Sequence, residues 1–314
     1  MQPAAKAGGE GENMIISTDN GTIRGACGDI EAMRLIKEAG FDGIDYTFYD
    51  MLPDNDILAF DDDKREKLAY EIREYAEKIG LCFPQCHAHL SYRYGTIGRD
   101  ESDENYLRVV RSIEYCSRIG CPQIVIHTDR TPIDMPDEES DRINSEFIRS
   151  FVPYAEKYDV NIGVENLFKF VKDKNYFIGR QHTAEWMKRF CDSIGSDRIR
   201  ACVDLGHAAI CGTEPETLIR GLPNDLLTMI HVQDTDYLRD RHWLPYLGSH
   251  HWDEITSALA EIDFRGSMNL EVLHFYERFD KSLFPQALAL AAGAARKLAD
   301  EVEKKRGAVK KRVF

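Results

Sequence analysis

The chain has 314 residues, of which 43% are hydrophobic, and a formal net charge of −14 at pH 7. This length exceeds that of one ordinary domain but suits a closed α/β barrel, and the apolar content supplies a full core. The acidic balance argues against a protein that binds nucleic acid, because such proteins concentrate positive charge. No apolar stretch approaches the roughly 18 residues that cross a membrane, so no membrane association is expected.

The two ends of the chain differ in composition from the rest. The segment 1–13, MQPAAKAGGEGEN, lacks the apolar core of a signal peptide and is expected to be a disordered leader. A single domain is expected over 14–306, followed by a basic tail over 307–314. The eight cysteines include no C-x-x-C pair, which favours buried reduced thiols and a cytoplasmic protein.

Short apolar runs alternate with amphipathic segments along the chain. The predicted strands cover 14–19, 43–48, 82–90, 124–129, 162–166, 200–208, 229–234 and 267–272. The predicted helices cover 29–39, 62–79, 103–118, 137–158, 182–194, 214–221, 252–262 and 282–305. N-capping residues are expected at Asp29, Asp103, Asp137, Thr183 and Thr213, the last in a capping box with Glu216.

Eight strand–helix alternations without a second compositional zone indicate one α/β domain with a parallel sheet. Eight strands also close such a sheet into a (β/α)8 TIM barrel, which is the predicted fold. An open doubly wound sheet is the alternative. No G-x-G-x-x-G follows the first strand, so dinucleotide binding of that type is unsupported.

Acidic and imidazole side chains recur near the carboxyl ends of the predicted strands, where barrel enzymes carry their functional groups. Four separate apolar runs contain Glu165, Asp204, His231 and Glu271. A buried ionised carboxylate is costly unless something pairs with it, and one divalent metal would pair with all four side chains. Mn²⁺ or Mg²⁺ suits this donor set best, with Zn²⁺ and Co²⁺ as alternatives. Further histidines at similar positions are His87, His127 and His207.

The chain resembles the xylose-isomerase-like superfamily of TIM barrels, which contains sugar isomerases, epimerases and nucleases of the endonuclease IV type. The resemblance covers about 14–300 and depends on GVEN (163–166), VDLGHA (203–208), HVQD (231–234), RDRH (239–242) and LEV (270–272). It implies that Glu165, Asp204, His231 and Glu271 bind the metal. It also implies that His207 binds substrate or a further metal, and the remaining nuclease ligands match His87, His127, Asp240 and His242.

The function expected from this resemblance is a metal-dependent isomerase or epimerase of a sugar or sugar phosphate. Glu165 and Glu271 would remove and return a proton through an enediolate, and His207 would orient or protonate a substrate oxygen. Expected carbohydrate contacts come from Arg239, Trp243 and Tyr92. His250 and His251 are predicted to be exposed.

Three alternatives remain open at this point. A leaving group next to the deprotonated carbon would give a lyase or deglycosylase acting on an oxidised sugar. A multinuclear zinc site would give an endonuclease IV-like phosphodiester hydrolase. A metal-binding sensor or partner subunit would lack turnover.

Two further features concern the substrate and the assembly. Ketose 3-epimerases of the superfamily carry an Arg where this chain has Tyr237, which disfavours a free ketose. The last helix, with its basic segment 304–312, offers a contact surface for a homo-oligomer.

Overall fold

The structure, a computed structural model, describes residues 13–49, 56–90, 95, 97–128, 131–132, 134–171 and 176–313. The strands in this part of the chain are β1 Ile16–Asp19, β2 Gly43–Thr47, β3 Cys82–His87, β4 Gln123–Val125, β5 Asn161–Glu165, β6 Leu167–Val171, β7 Tyr176–Arg180, β8 Ile199–Asp204, β9 Leu227–His231 and β10 Met268–Leu270. The α-helices are α1 Gly21–Cys27, α2 Asp29–Glu38, α3 Asp62–Ile79, α4 Glu104–Arg118, α5 Asp137–Tyr158, α6 Ala184–Ile194, α7 Leu205–Ile210, α8 Pro215–Arg220, α9 Trp252–Glu261, α10 Leu273–Tyr276 and α11 Phe284–Val313. Each predicted strand and helix is confirmed, with ends that differ by a few residues.

Eight of these strands form one parallel sheet in the order β10-β1-β2-β3-β4-β5-β8-β9. Backbone hydrogen bonds from Val232 N to Asn269 O (2.8 Å) and from Glu271 N to Val232 O (3.0 Å) join the end of β9 to β10. The sheet therefore closes on itself as a single-domain (β/α)8 TIM barrel, as predicted. An open doubly wound sheet is excluded by this closure.

Alternation of side chains along β5 shows how the barrel separates its two layers. Ile162 and Val164 belong to the large apolar cluster that also contains Phe151 of α5. Gly163 faces the other side, where a Cβ would lie 2.4 Å from Cε of Met229 in β9. Because Glu165 has the same parity as Gly163, the pleat directs its carboxylate into the barrel.

Side-chain capping accounts for some helix starts and not for others. Asp103 and Thr183 accept backbone hydrogen bonds at the starts of α4 and α6 (2.8 and 3.3 Å), as predicted. Asp29 and Asp137 are instead the first helical residues of α2 and α5. The capping box predicted at Thr213 is wrong, because the N-cap of α8 is the next residue along the chain.

Two elements differ from the expectations in extent. β6 and β7 form an antiparallel hairpin directly after β5, in a segment for which no strand was predicted. α11 continues to Val313, so the basic segment 304–312 belongs to the helix and the predicted tail 307–314 begins inside it. The predicted leader falls almost wholly outside the described residues.

All eight cysteines are free thiols, in agreement with the expectation from their spacing.

Among the described residues, no helix is both long and apolar enough to cross a membrane.

Candidate functional site

The four predicted metal ligands lie together at the carboxyl ends of their strands. Glu165, Asp204 and His231 are the last residues of β5, β8 and β9, and Glu271 directly follows β10. One ligand atom from each lies within 4.8 Å of the corresponding atoms of the others, and all four residues are buried. Since parallel strands of a barrel end at the same rim, sequence-distant groups meet here.

His231 is at the centre of this group. Its Nδ1 lies 3.0 Å from Oε1 of Glu165 and 3.3 Å from Oε2 of Glu271, while Nε2 lies 3.3 Å from Sγ of Cys202. Burial opposes protonation, but Cys202 and the two glutamates raise the pKa of His231 well above its usual value. Without a bound metal, a proton on this imidazole thus supplies positive charge that the carboxylates require.

The two glutamates are both held in the ionised form. Burial disfavours the charge of Glu165, but the rings of His231 and His127 keep its pKa well below the usual range. Burial likewise opposes ionisation of Glu271, and here His231 and His242 lower the pKa. Oε2 of Glu271 is buried and accepts no hydrogen bond from any described residue. Such an orphaned anionic oxygen beside two carboxylates and an imidazole fits a divalent cation.

Asp204 links the end of β8 to the start of α7. Its Oδ1 accepts a hydrogen bond from His207 N (2.6 Å), which caps the helix. Asn166 holds the backbone of Asp204 from both sides, because its Oδ1 accepts from Asp204 N (2.8 Å) and its Nδ2 donates to Asp204 O (3.0 Å). The strand predicted over 200–208 therefore ends at Asp204, and the helix turn directs His207 toward Oε1 of Glu165 (3.2 Å from Nδ1). Burial raises the pKa of Asp204 to about 6.

Gln233 connects this group to the following loop. Its Nε2 lies 3.1 and 3.0 Å from the two carboxylate oxygens of Asp204 and 3.1 Å from Oδ1 of Asp240. Its Oε1 accepts a hydrogen bond from His242 N (2.8 Å). Gln233 was not predicted as a functional residue, although it lies in the HVQD motif and its amide follows a buried strand.

A second set of possible ligands borders the first. His207, Asp240 and His242 offer ligand atoms within 4.8 Å of one another. Oδ2 of Asp240 lies 3.1 Å from Nε2 of His242 and 3.7 Å from Nε2 of His207. Burial opposes ionisation of Asp240, but the two histidines hold its pKa well below the usual range.

His87 and His127 complete the cluster on the side of Glu165. His87, His127 and Glu165 also offer ligand atoms within 4.8 Å of one another. Nε2 of His127 lies 2.7 Å from Oε2 of Glu165, and Nε2 of His87 lies 3.6 Å from Oε1 of Glu271. The structure thus brings all nine acidic and imidazole positions of the sequence analysis into one continuous cluster.

Two buried carboxylates of this cluster were missed. Oδ1 of Asp45 lies 3.0 Å from Nδ1 of His87, and its Oδ2 accepts hydrogen bonds from Gln85 Nε2 (2.8 Å) and Asn269 Nδ2 (2.9 Å). Asp19 is 1% exposed, and burial together with neighbouring carboxylates raises its pKa to about 7. Both residues lie in the apolar runs of β2 and β1, so the signal that marked Glu165 was present for them as well.

The three predicted substrate contacts are Tyr92, Arg239 and Trp243, and the structure describes two of them. Tyr92 lies outside the described residues. Arg239 is half-buried, and its backbone N–H donates to Oδ1 of Asp236 (3.0 Å). The backbone of Trp243 pairs with that of Asp234 through N···O distances of 2.8 and 3.2 Å. Aspartates of the loop after β9 therefore fix the backbone that carries both side chains.

The segment after this loop corrects one expectation. His250 is 7% exposed, and its ring lies 5.5 Å from those of Tyr237 and Trp252. Burial lowers the pKa of His250 to about 4. The prediction that His250 is exposed is wrong, whereas His251 is exposed. Tyr237 donates to Oε2 of Glu214 (2.8 Å), so this segment packs the loop onto its neighbours.

The sequence matches the family described as xylose isomerase-like TIM barrel over residues 33–298. The D-psicose 3-epimerase of Enterocloster bolteae is 29% identical over 144 residues, which make up 45% of this chain and 44% of that protein. The chain spans about half the length of the curated relatives it matches.

Solved structures resemble the whole barrel. A structure of D-psicose 3-epimerase in the presence of D-fructose has a TM-score of 0.70 at 16% identity, covering 91% of this chain and 99% of that chain. The IOLI protein with a bound zinc atom has a TM-score of 0.69 at 18% identity, covering 93% and 99%. At these identities the similarity establishes the fold.

Proposed function

This chain belongs to the family of xylose isomerase-like TIM barrels, and from that premise we propose that it is a metal-dependent isomerase or epimerase of a sugar or sugar phosphate. The observation that carries the proposal is the convergence of Glu165, Asp204, His231 and Glu271 within 4.8 Å at one rim of the barrel. The epimerase relative and the epimerase structure support a carbohydrate substrate.

The four side chains would hold one divalent cation. Three carboxylates favour Mn²⁺ or Mg²⁺, and the zinc-bound structural neighbour supports a divalent metal in general. When bound, the cation would polarise a substrate carbonyl and stabilise the negative charge that develops upon deprotonation of the adjacent carbon.

Proton transfer is the task of the two glutamates. Glu165 and Glu271 reach His231 from strands that β8 and β9 separate, so they would approach a substrate from two directions. Both are ionised before substrate binds, so either can act as the base, and the other has to take up a proton before it can act as the acid. One removes the proton to leave an enediolate, and the other returns it. Return to the same carbon from the opposite face is epimerisation, and return to the neighbouring carbon is isomerisation.

His207 would act on a substrate oxygen. Burial opposes its protonation, but Asp204 and Asp240 raise the pKa of His207 well above the usual value. The imidazolium can therefore donate a hydrogen bond or a proton to an oxygen that gains charge during the reaction. A lyase or deglycosylase would use the same deprotonation, and release of a leaving group would identify it.

The first test combines metal analysis with a substrate panel. We expect about one Mn, Mg or Co per chain, and turnover of a member of a panel of free, phosphorylated and oxidised sugars. Glu165→Gln and Glu271→Gln should each abolish turnover and leave the far-ultraviolet circular dichroism spectrum unchanged. Glu185→Gln, at an exposed position of α6, is the matched control. Activity near wild type in either glutamate variant would contradict the assignment.

One observation supports a second candidate function. The His207–Asp240–His242 and His87–His127–Glu165 groups border the first group and supply the donors of a multinuclear zinc site. Such a site would serve phosphodiester hydrolysis of the endonuclease IV type. Roughly two to three zinc ions per chain together with cleavage of an abasic-site duplex would establish this function instead.

A further inference from the structure

Three carboxylates lie side by side across β10, β1 and β2. Thr18 of β1 is in register with Leu270 of β10, which places Asp19 beside Glu271, and Asp19 is itself in register with Asp45 of β2. All three carboxylate residues are buried. Like charges on neighbouring strands destabilise a sheet, so each carboxylate requires a partner.

Two of the three carboxylates have a partner among the neighbouring side chains. Asp45 is satisfied by a histidine and two amide side chains, as described above. Glu271 faces His231 and belongs to the candidate metal site. Neither oxygen of Asp19 accepts a hydrogen bond from any described residue, although the side chain is 1% exposed. A buried carboxyl group without a partner costs free energy of folding, so it calls for a physical explanation, and a role in the functional site is one.

The surroundings of Asp19 limit the chemistry of that ligand. The titratable groups that act on it are Glu271, Asp45, His242 and His87. The two adjacent carboxylates would repel an anionic group here, whereas a neutral hydrogen-bond donor meets no such penalty. The hydroxyl of the preceding residue, Thr18, lies 3.1 Å from the Tyr276 hydroxyl and makes no hydrogen bond to Asp19. The hydroxyl groups of a sugar have the required chemistry, and two carboxylate oxygens can accept two neighbouring hydroxyls.

We propose that Asp19 is a substrate-binding residue that accepts hydrogen bonds from two adjacent hydroxyl groups of the carbohydrate, on the β1 side of the site. The inference rests on the proposed function and adds that the substrate carries a vicinal diol beyond the oxygens at its reacting carbons. A deoxy analogue lacking one of these hydroxyls would leave Asp19 unpaired and would be rejected.

The test compares Asp19→Asn with the wild type and with Asp45→Asn in the full chain. Asn at position 19 keeps the shape, removes the charge and supplies an amide donor for the neighbouring carboxylates. We expect unchanged metal content, a KM raised tenfold or more with a smaller change in kcat, and a Tm of the metal-free protein raised by roughly 2 °C or more. Asp45→Asn should lower the Tm, because the Asp45 carboxylate has three partners.

The outcomes are distinguishable. Loss of metal from the Asp19→Asn protein would make Asp19 a metal ligand, and a lowered Tm would make it structural; either result overturns the inference. An unchanged KM would also overturn the inference, with or without a loss of kcat. Those results leave the proposed function standing if the wild type is active. A wild type that converts no sugar of the panel overturns both the proposed function and this inference.

Discussion

At the scale of single residues, Gln233 shows how an uncharged side chain organises a charged site. Its amide nitrogen contacts Asp204 and Asp240, and its amide oxygen accepts from the backbone of His242. One side chain therefore orients a candidate metal ligand and the loop that borders it. Residues that orient ligands in this way commonly change metal affinity 10–100-fold when they are altered, on the order of one to three kcal/mol.

Gly206→Ala tests this arrangement without removing a polar group. A Cβ at this position would lie 2.5 Å from Cδ and 2.7 Å from Oε1 of Gln233, so the amide must shift. We expect metal affinity to fall about tenfold, measured by competition with a chromophoric chelator. Gly293→Ala in α11 is the control, because a Cβ there meets nothing within 4 Å. Wild-type affinity in Gly206→Ala would show that Gln233 does not support the ligand.

At the scale of elements, the segments after the strands complete the site. α7 begins where β8 ends, so that Asp204 is both an N-cap and a candidate ligand. The β6–β7 hairpin follows β5 directly and places the ring of Phe168 4.8 Å from that of His207 and 5.1 Å from that of Phe177. The hairpin thus places an aromatic ring pair next to His207.

α11 is attached to the barrel through its basic end. Nη1 of Arg306 donates to Oε1 of Glu303 (2.7 Å), Nε lies 3.0 Å from Oδ1 of Asp263, and the guanidinium also donates to Phe264 O. The Arg306 side chain is 6% exposed. A buried arginine in this part of the helix is therefore a structural contact between α11 and the loop before β10.

Arg306→Ala is expected to lower the free energy of unfolding by about 1–3 kcal/mol, because it leaves the buried carbonyl of Phe264 without its donor. Urea denaturation followed by circular dichroism measures the change. Lys304→Ala, at an exposed position of the same helix, should change stability by less than about 0.5 kcal/mol. Equal unfolding midpoints for the two variants would assign no structural role to Arg306.

At the scale of the whole molecule, the rim of the barrel concentrates buried charge. The carboxylates of Glu165 and Glu271 are held ionised, and protonated imidazoles balance them in the absence of metal. A cation that binds only the folded barrel would stabilise the entire fold through mass action.

Metal loading should therefore raise the Tm and chelation should lower it. At a hundredfold excess of Mn²⁺ over its Kd the gain is about 2.7 kcal/mol, which corresponds to a shift of roughly 4 °C for a chain of this length. Differential scanning calorimetry with Mn²⁺ and with EDTA measures the difference. The shift should disappear in Glu271→Gln, and an identical Tm in both buffers for the wild type would argue against a resident metal.

The secondary structure and the barrel could be predicted from the sequence, because apolar periodicity depends on residues only a few positions apart. The same local signal, a carboxylate at the end of an apolar run, singled out Glu165, Asp204 and Glu271. It was equally present at Asp19 and Asp45, which went unrecognised. No local pattern distinguishes a carboxylate that needs a metal from one that has an amide partner.

Only the tertiary structure shows which side chains contact one another across distant segments. Barrel closure at Val232, the contacts of Gln233 and the burial of His250 all depend on how distant segments pack. Ser17 and Asn269 share a hydrogen bond across 252 residues of sequence. Strand register over such separations determines which polar groups meet in the barrel, and short-range periodicity carries no information about it.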